Sequence, residues 1–213
     1  MTLRRAQGCF ISLEGGEGVG KSTQAGRLTD ALRARGLDVL LTREPGGSPG
    51  AEAIRQLLLE GAGDRWTPGA EALLFAAARA DHVTKTIEPA LEAGRWVLCD
   101  RFLDSSRAYQ GVAGEVGDAA IQNLHQIGSD GALPDRTLVL MLSDEDAAAR
   151  AHARDEGCPD RIGGRDAKFH AAVAQAFRDF ARDDPARIRL IDASGDEEAV
   201  TERLLAALSD LLS

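Results

Sequence analysis

Residues 15–23 read Gly-Gly-Glu-Gly-Val-Gly-Lys-Ser-Thr, and this stretch decides how the rest of the chain is interpreted. It fits the pattern G-x-x-x-x-G-K-[ST], with an apolar run before it at residues 9–14 and a helical pattern after it at residues 20–35. The glycines let backbone N–H groups turn inward around a phosphate, and the helix start adds the positive end of its dipole. A glycine-rich turn without a ligand is the alternative. The flanking strand and helix favour a phosphate-binding loop.

Two residues of this loop are candidates for contacts with the phosphates of ATP and with Mg²⁺. A third candidate, for Mg²⁺, lies outside the loop. Lys21 is expected to bridge the β- and γ-phosphates, and the Ser22 hydroxyl to bind Mg²⁺. Asp100 ends an apolar strand, where a carboxylate holds Mg²⁺ or its water shell; a plain helix N-cap is the alternative. The expected ATP-binding residues are Gly15, Gly16, Glu17, Gly18, Val19, Gly20, Lys21, Ser22 and Thr23.

Short apolar runs alternate with longer amphipathic stretches along the chain, which predicts an α/β fold. With the phosphate loop, this indicates a P-loop NTPase fold with a five-stranded parallel sheet flanked by helices. The predicted strands are 9–14, 38–42, 96–100, 137–142 and 187–192. The predicted helices are 20–35, 50–60, 68–93, 118–129, 145–155, 166–183 and 197–212.

Two further predictions concern the start of the last helix and two loops. Ser194 and Glu197 have the spacing of a capping box before the last helix, whose apolar residues recur every three or four positions. The segments 60–68 and 155–165 are predicted to be mobile loops, because they are rich in glycine, proline and charge.

Length and composition limit the classes of protein that this chain can represent. At 213 residues it is expected to form a single domain over 1–213, and its net charge of −9 argues against broad nucleic-acid binding. Cys9, Cys99 and Cys158 are few and odd in number, which suits a reducing compartment. No apolar run has the length of a signal peptide or a membrane span. We therefore expect a cytoplasmic enzyme without membrane or nucleic-acid partners.

Two arginines indicate which kind of P-loop protein this is. A GTPase would need Asn-Lys-x-Asp, which the sequence lacks, and the chain is short for a motor protein. Arg43 and Arg101 follow the second and third predicted strands, and ligands of open parallel sheets bind at the carboxyl ends of strands. A structural ion pair is the alternative for each arginine. Convergence on the phosphate loop favours a kinase that holds an acceptor phosphate.

The run at residues 98–111, Leu-Cys-Asp-Arg-Phe-Leu-Asp-Ser-Ser-Arg-Ala-Tyr-Gln-Gly, carries a resemblance to a known family. Position by position it resembles the signature of the thymidylate kinases. Further stretches similar to that family occur in the same order, at residues 42–47, 73–79, 134–138 and 191–194. The resemblance therefore covers nearly the whole chain.

This resemblance implies transfer of the γ-phosphoryl group of ATP to dTMP, with Mg²⁺ as cofactor and a homodimer as assembly. Phe75 would stack on thymine, with core packing as its alternative, and Arg79 would bond a thymine carbonyl. Tyr109 would pack where a ribose 2′-hydroxyl projects, and Glu17 would lie near the 3′-hydroxyl. The dTMP-binding residues that it implies are Glu17, Arg43, Phe75, Arg79, Arg101, Ser105, Ser106, Tyr109 and Gln110.

The resemblance also implies a mobile lid at about residues 150–166. Gly18 stands where some members of the family have an arginine, so the catalytic arginine would come from the lid. The candidates are Arg150, Arg154, Arg161 and Arg165. Arg154 and Arg161 are favoured, and would act with Lys21, Arg101 and Glu17. The sequence departs from the family around the lid, where Gly163 replaces a usual acidic residue.

Two rival functions stay open at this point. One is another small P-loop kinase that acts on a different monophosphate or on a deoxynucleoside. The other is a nucleotide sensor that binds ATP and transfers nothing. The two arginines favour a nucleotide over a nucleoside acceptor, and an acceptor pocket argues against a sensor.

Overall fold

The computed structural model describes residues 8–62, 64–143, 145–147, 150 and 161–212. Within them, five parallel strands form one sheet in the order β2-β3-β1-β4-β5. The strands are β1 Phe10–Gly15, β2 Val39–Arg43, β3 Trp96–Asp100, β4 Arg136–Met141 and β5 Ile188–Asp192. The predicted five-stranded parallel sheet is confirmed, and each boundary lies within one residue of its predicted position.

The central strand β1 brings the functional segments together. Leu13 pairs with Asp100 of β3, and Asp100 pairs in turn with Arg43 of β2. The carboxyl ends of β1, β2 and β3 therefore lie side by side. The phosphate loop, the segment after Arg43 and the turn after Asp100 meet at this end of the sheet, as the rule for open parallel sheets predicts.

Helices pack on both faces of the sheet. Their bounds are α1 Lys21–Arg33, α2 Pro49–Leu59, α3 Pro68–His82, α4 Glu88–Glu92, α5 Leu103–Ser106, α6 Asp118–Ser129, α7 Ala167–Asp183 and α8 Glu197–Ala206. Several begin at a side-chain cap: Ser48, Thr67 and Asp166 each accept a hydrogen bond from the N–H three residues later. On one face, Leu28 and Leu204 pack against Ile11 and Leu13 of β1.

The predicted helix 68–93 is interrupted. A π-helical turn, Val83–Ile87, joins α3 to α4. It begins just after His82, whose buried imidazole contacts Thr42 at 2.7 Å and Glu44 at 3.0 Å. The helical periodicity of the sequence does not reveal such a turn, because π-helical turns are rare and short.

Helical structure between residues 103 and 113 is missing from the sequence predictions. The structure contains α5 followed by a π-helical segment, Arg107–Ala113. Serine and glycine here have weak helix propensity, so local sequence does not indicate a helix. Tertiary contacts hold it instead, through the side chains of Ser105 and Asp104.

The prediction for the last helix is wrong in two details. The helix ends at Ala206 and turns follow it, so it is shorter than the predicted 197–212. Its N-cap is Asp196, which accepts from the N–H of Ala199, because a capping side chain must lie three residues before the N–H that it binds. Ser194 lies too early and bonds Asp192.

Some predictions fall on residues that the structure does not describe. These are most of the helix 145–155 and most of the lid, including Arg154. Among the described residues, no helix has both the length and the apolar character needed to cross a bilayer.

A buried ion cluster around Asp104 joins α5 to the sheet. Its carboxylate accepts from Arg187 at 2.6 Å, from Arg107 at 2.9 Å and from Thr137 at 3.2 Å. Burial alone raises the pKa of Asp104, but the two guanidinium groups outweigh it and hold the pKa below its usual value. The carboxylate is thus a charged link between α5, β4 and the residue before β5.

Removing this carboxylate is expected to destabilise the fold strongly. Asp104→Ala leaves Arg187 and Arg107 without their shared anion, which costs about 3–5 kcal/mol. Urea unfolding followed by circular dichroism measures the loss. Asp179→Ala is the matched control, since its ion pair with Arg182 is exposed and is worth at most about 1 kcal/mol. Equal effects of the two substitutions would contradict this account.

Candidate active site

The phosphate loop leaves β1 at Gly15 and enters α1 at Lys21. Gly15 has a φ of +138°, and a Cβ there would lie 2.5 Å from the Leu140 carbonyl oxygen, so only glycine fits. Gly20 forms the N-terminus of α1 in a left-handed conformation without a side-chain cap. The first N–H groups of α1 are therefore available to an anion.

Lys21 is buried at the base of this loop, and its ammonium donates to the Gly16 carbonyl oxygen. Burial and the neighbouring Arg101 lower the pKa of Lys21 to about 8, although Glu17 and Asp100 act in the opposite direction. A phosphate brought into the loop would restore the usual pKa by adding negative charge. The position of Lys21 suits the predicted contact with phosphate.

Ser22 and Asp100 form the candidate magnesium site. The Ser22 hydroxyl donates to the Asp100 carboxylate at 2.8 Å, so the two predicted ligands are adjacent. Both offer hard oxygen atoms, which Mg²⁺ prefers. No cluster of three or more His, Cys, Asp or Glu side chains suited to a metal occurs in the described part of the chain. The pair therefore fits an ion that takes its remaining ligands from phosphate and water.

Arg101 links the phosphate loop to Ser105 of α5. Its guanidinium donates to the Gly15 carbonyl at 3.0 Å, to Ser105 at 3.1 Å and to Glu17 at 2.5 Å. Burial alone lowers the pKa of Arg101. Tyr109, Glu17 and other acidic neighbours raise it above its usual value, so the side chain is a permanent cation.

Glu14, a residue that sequence reasoning missed, supports the turn at Arg101. Its buried carboxylate accepts from the Phe102 N–H at 2.8 Å and from the Ser105 hydroxyl. Burial, together with nearby Asp104, raises the pKa of Glu14 to about 7. The sequence does hold a signal for it, since Glu14 is an acidic residue at the end of an otherwise apolar strand.

Arg79 is held rigidly on α3. Its guanidinium donates to Glu44 at 2.8 Å, to Ser106 at 2.7 Å and to the Phe102 carbonyl at 3.2 Å. Phe75 precedes Arg79 by one helical turn and lines the same cleft. The predicted pair therefore does share one face of the helix. Glu44 belongs to the stretch 42–47 that resembles the family, and it anchors Arg79, a role that the sequence analysis did not predict.

Tyr109 and Gln110 also line the cleft. The Tyr109 hydroxyl donates to Glu17 at 3.2 Å, and the Arg101 guanidinium lies 5.0 Å from the centre of the Tyr109 ring. The Gln110 amide donates to Glu71 at 3.0 Å. Glu17 thus contacts both Arg101 and Tyr109, so the phosphate loop reaches both residues through this side chain.

For Arg43, the structure supports both the ligand contact and its alternative, an ion pair. It lines the cleft, and it also forms the ion pair that was its alternative, with Glu52 at 3.2 Å. Because both side chains are more than two-fifths exposed, this ion pair is weak and leaves Arg43 available to a ligand.

The lid arginines lie in different surroundings. Arg150 lines the cleft. Arg161, expected over the phosphates, is instead buried, because it donates to Glu71 at 2.6 Å and to the Leu58 carbonyl at 2.9 Å. Arg165 also contacts Glu71, at 2.8 Å. In this structure Arg161 therefore faces α3 and not the phosphate loop.

One cleft of about 660 Å³ collects these groups. The predicted residues that line it are Glu17, Gly18, Gly20, Lys21, Ser22, Thr23, Arg43, Phe75, Arg79, Asp100, Arg101, Ser105, Ser106, Tyr109, Gln110 and Arg150. Val19, also predicted, packs into the core instead. Sequence reasoning missed the lining residues Glu44, Pro45, Arg55, Leu59, Phe102 and Ile162.

A phosphate loop after the central strand, an acidic residue at the end of β3 and arginines that line the same cleft define the P-loop NTPase fold, in the form used by nucleotide kinases. Comparison with known proteins agrees. A family model described as thymidylate kinase matches residues 13–204. A thymidylate kinase of Rhizorhabdus wittichii is 65% identical over 96% of this chain and 99% of its own length.

More distant relatives extend the comparison. Thymidylate kinases of Bradyrhizobium diazoefficiens and Caulobacter vibrioides are 51% and 50% identical, each over 97% of this chain and over 91% and 96% of their own lengths. The crystal structure of a thymidylate kinase from Ehrlichia chaffeensis superposes with a TM-score of 0.76 at 29% identity, covering 94% of this chain and 98% of that one. The chain belongs to the thymidylate kinase family.

The raised pKa of Glu14 makes folding stability depend on pH. Since the pKa rises from 4.5 to about 7 on folding, the native state binds this proton more tightly than the unfolded chain. The stabilisation is present below the unfolded pKa and is lost as the pH rises through 7. The free energy of unfolding of the wild type minus that of Glu14→Gln should fall by about 3 kcal/mol between about pH 4.5 and about pH 8. Urea unfolding of both proteins measures this, and a constant difference would refute it.

Proposed function

We propose that this chain transfers the γ-phosphoryl group of MgATP to dTMP, giving dTDP and ADP. The observation that carries the proposal is the position of Arg101. Its guanidinium contacts the phosphate loop at Gly15, and it contacts Glu17 and Ser105 beside the pyrimidine pocket. Donor and acceptor phosphates bound in this cleft would therefore lie on either side of one cation.

The donor side is the loop Gly15–Thr23. Its N–H groups surround the β-phosphate, and Lys21 moves from the Gly16 carbonyl to the β- and γ-phosphates. Ser22 and Asp100 would hold Mg²⁺, which when bound neutralises charge on the β- and γ-oxygens. The Ser22–Asp100 contact supports this assignment because it brings both ligands to one point.

The acceptor side selects the base and the sugar. Phe75 stacks on thymine, and Arg79 donates to a thymine carbonyl from a guanidinium already fixed by Glu44 and Ser106. Ser105 and Gln110 line the same pocket. Tyr109 occupies the space of a ribose 2′-hydroxyl, and its hydrogen bond to Glu17 fixes the ring there.

The chemistry is an in-line displacement. Arg43 and Arg101 hold the acceptor phosphate, while Glu17 binds near the 3′-hydroxyl. An oxygen of the dTMP phosphate attacks the γ-phosphorus, and the bond from that phosphorus to the β–γ bridging oxygen breaks as ADP leaves. No covalent enzyme intermediate forms. The protein contributes position and charge neutralisation, which are the main requirements of phosphoryl transfer.

The lid supplies the remaining positive charge. Arg150 already lines the cleft, and Arg154 and Arg161 are the favoured catalytic arginines. Arg161 would have to leave Glu71 in order to reach the phosphates. An arginine that closes over the β- and γ-phosphates stabilises charge that develops during transfer and excludes water.

We also propose a cytoplasmic homodimer. Leu73 on α3 and Ile127 on α6 are exposed, at 58% and 84%, on two helices that pack against each other. Exposed apolar side chains on neighbouring helices are typical of a subunit interface. Cys99 is a free, buried thiol, in keeping with a reducing compartment.

A coupled ADP-release assay tests the function. With MgATP, we expect rapid turnover of dTMP and weaker turnover of dUMP, because the pocket reads a pyrimidine with a deoxy sugar. UMP, CMP, AMP, GMP and thymidine should give little turnover. Preference for a purine monophosphate or for thymidine would contradict the base and sugar assignments. ADP release that no acceptor stimulates would indicate a sensor.

Two lysine variants make this assay specific. Lys21→Ala should lower kcat on the order of 10³-fold, since it removes the phosphate contact that develops in the transition state. Lys85→Ala is the matched control, because Lys85 is exposed and pairs with Asp81 outside the cleft. Circular dichroism should show both variants folded. Full activity of Lys21→Ala would contradict the proposed donor site.

A further inference from the structure

A buried carboxylate contacts one residue of the proposed pyrimidine pocket. Glu71 on α3 is 2% exposed, and its two oxygens accept from three residues. Gln110 donates at 3.0 Å, Arg161 at 2.6 Å and Arg165 at 2.8 Å. Glu71 precedes Phe75 by one helical turn, so the two side chains lie on the same face of α3.

This contact fixes which end of the Gln110 amide faces the cleft. A carboxylate only accepts hydrogen bonds, so the NH₂ group of Gln110 must point to Glu71. The amide carbonyl then points the other way, and Gln110 lines the cleft. Within the described part of the chain, that carbonyl oxygen accepts no hydrogen bond from the protein.

A fixed acceptor distinguishes two classes of pyrimidine. Thymine and uracil carry a hydrogen-bond donor at ring N3, whereas cytosine carries a lone pair there. We propose that Glu71 is a positioning residue for base selection: it holds Gln110 so that its carbonyl accepts from N3–H of thymine and repels N3 of cytosine. This inference rests on the proposed function and names the group behind its specificity.

The same carboxylate ties base selection to the lid. Arg161 and Arg165 belong to the C-terminal arm of the predicted lid, and both end on Glu71. The Arg165 guanidinium also lies 4.5 Å from the ring centre of Phe169, which packs on Tyr109 at 6.0 Å. The arm is therefore linked to Gln110 through Glu71 and to Tyr109 through Phe169.

Steady-state kinetics with dTMP and dCMP test the role of Glu71. Glu71→Gln keeps the size of the side chain but offers either a donor or an acceptor, so the Gln110 amide is free to turn over. The ratio of kcat/KM for dTMP to that for dCMP should fall about tenfold, the effect of one oriented hydrogen bond of about 1.4 kcal/mol. In a Gln110→Ala background the same substitution should change the ratio less than about twofold.

A matched control separates this effect from a general one. Glu197→Gln removes a glutamate from the exposed ion pair with Arg27, outside the cleft, and should leave the ratio unchanged. An unchanged ratio in Glu71→Gln overturns the inference, and so does an equal fall in both backgrounds. Turnover of dTMP by the wild type, measured first, tells failure of the inference apart from failure of the proposed function.

If Glu71→Gln alone does not fold, a double variant tests the same inference. The exchange Glu71→Gln with Gln110→Glu keeps the net charge opposite Arg161 and Arg165. A carboxylate at position 110 presents only acceptors, so selectivity for dTMP over dCMP should stay within about threefold of the wild type. A loss of selectivity in this exchanged pair overturns the inference.

Discussion

The site depends on one backbone constraint, the left-handed conformation of Arg101 at the end of β3, where φ is 70°. This conformation costs a non-glycine residue about 1 kcal/mol, so the surroundings must hold it. The Arg101 N–H donates to the Leu13 carbonyl at 2.9 Å, and Glu14 binds the next N–H. The chain therefore turns back at Arg101 and brings its guanidinium to the phosphate loop. In the proposed function, the donor and acceptor phosphates would share this single cation for that reason.

Three buried glutamates hold side chains that line the cleft. Glu14 supports the turn at Arg101, Glu44 holds Arg79, and Glu71 holds Gln110. Burial of a carboxylate is costly unless its partners satisfy it, so each of these groups restricts its partners to one arrangement. Side chains fixed in this way need little reorganisation when substrates bind, which is how a rigid cleft promotes phosphoryl transfer. These three glutamates thus fix the orientation of side chains that line the cleft.

The sequence was sufficient to predict what depends on local pattern. The five strands, the phosphate loop and the meeting of Arg43, Arg101 and Lys21 follow from periodicity and from the carboxyl-end rule. Long-range contacts were out of reach: Glu14 meets Ser105, and Glu71 meets Arg161, across about 90 residues. The same limit explains why α5 was missed and why the contact of Arg161 with Glu71 of α3 was not predicted. Motif resemblance named residues of the cleft wall but not the partners that orient them.

The most direct test of the central claim is the turnover of Arg101→Ala with MgATP and dTMP. We expect a fall in kcat/KM on the order of 10³-fold or more, because one cation would serve both phosphates at once. Circular dichroism and a thermal unfolding curve close to those of the wild type would show that the loss is local. Turnover within tenfold of the wild type in a folded Arg101→Ala protein would contradict the account.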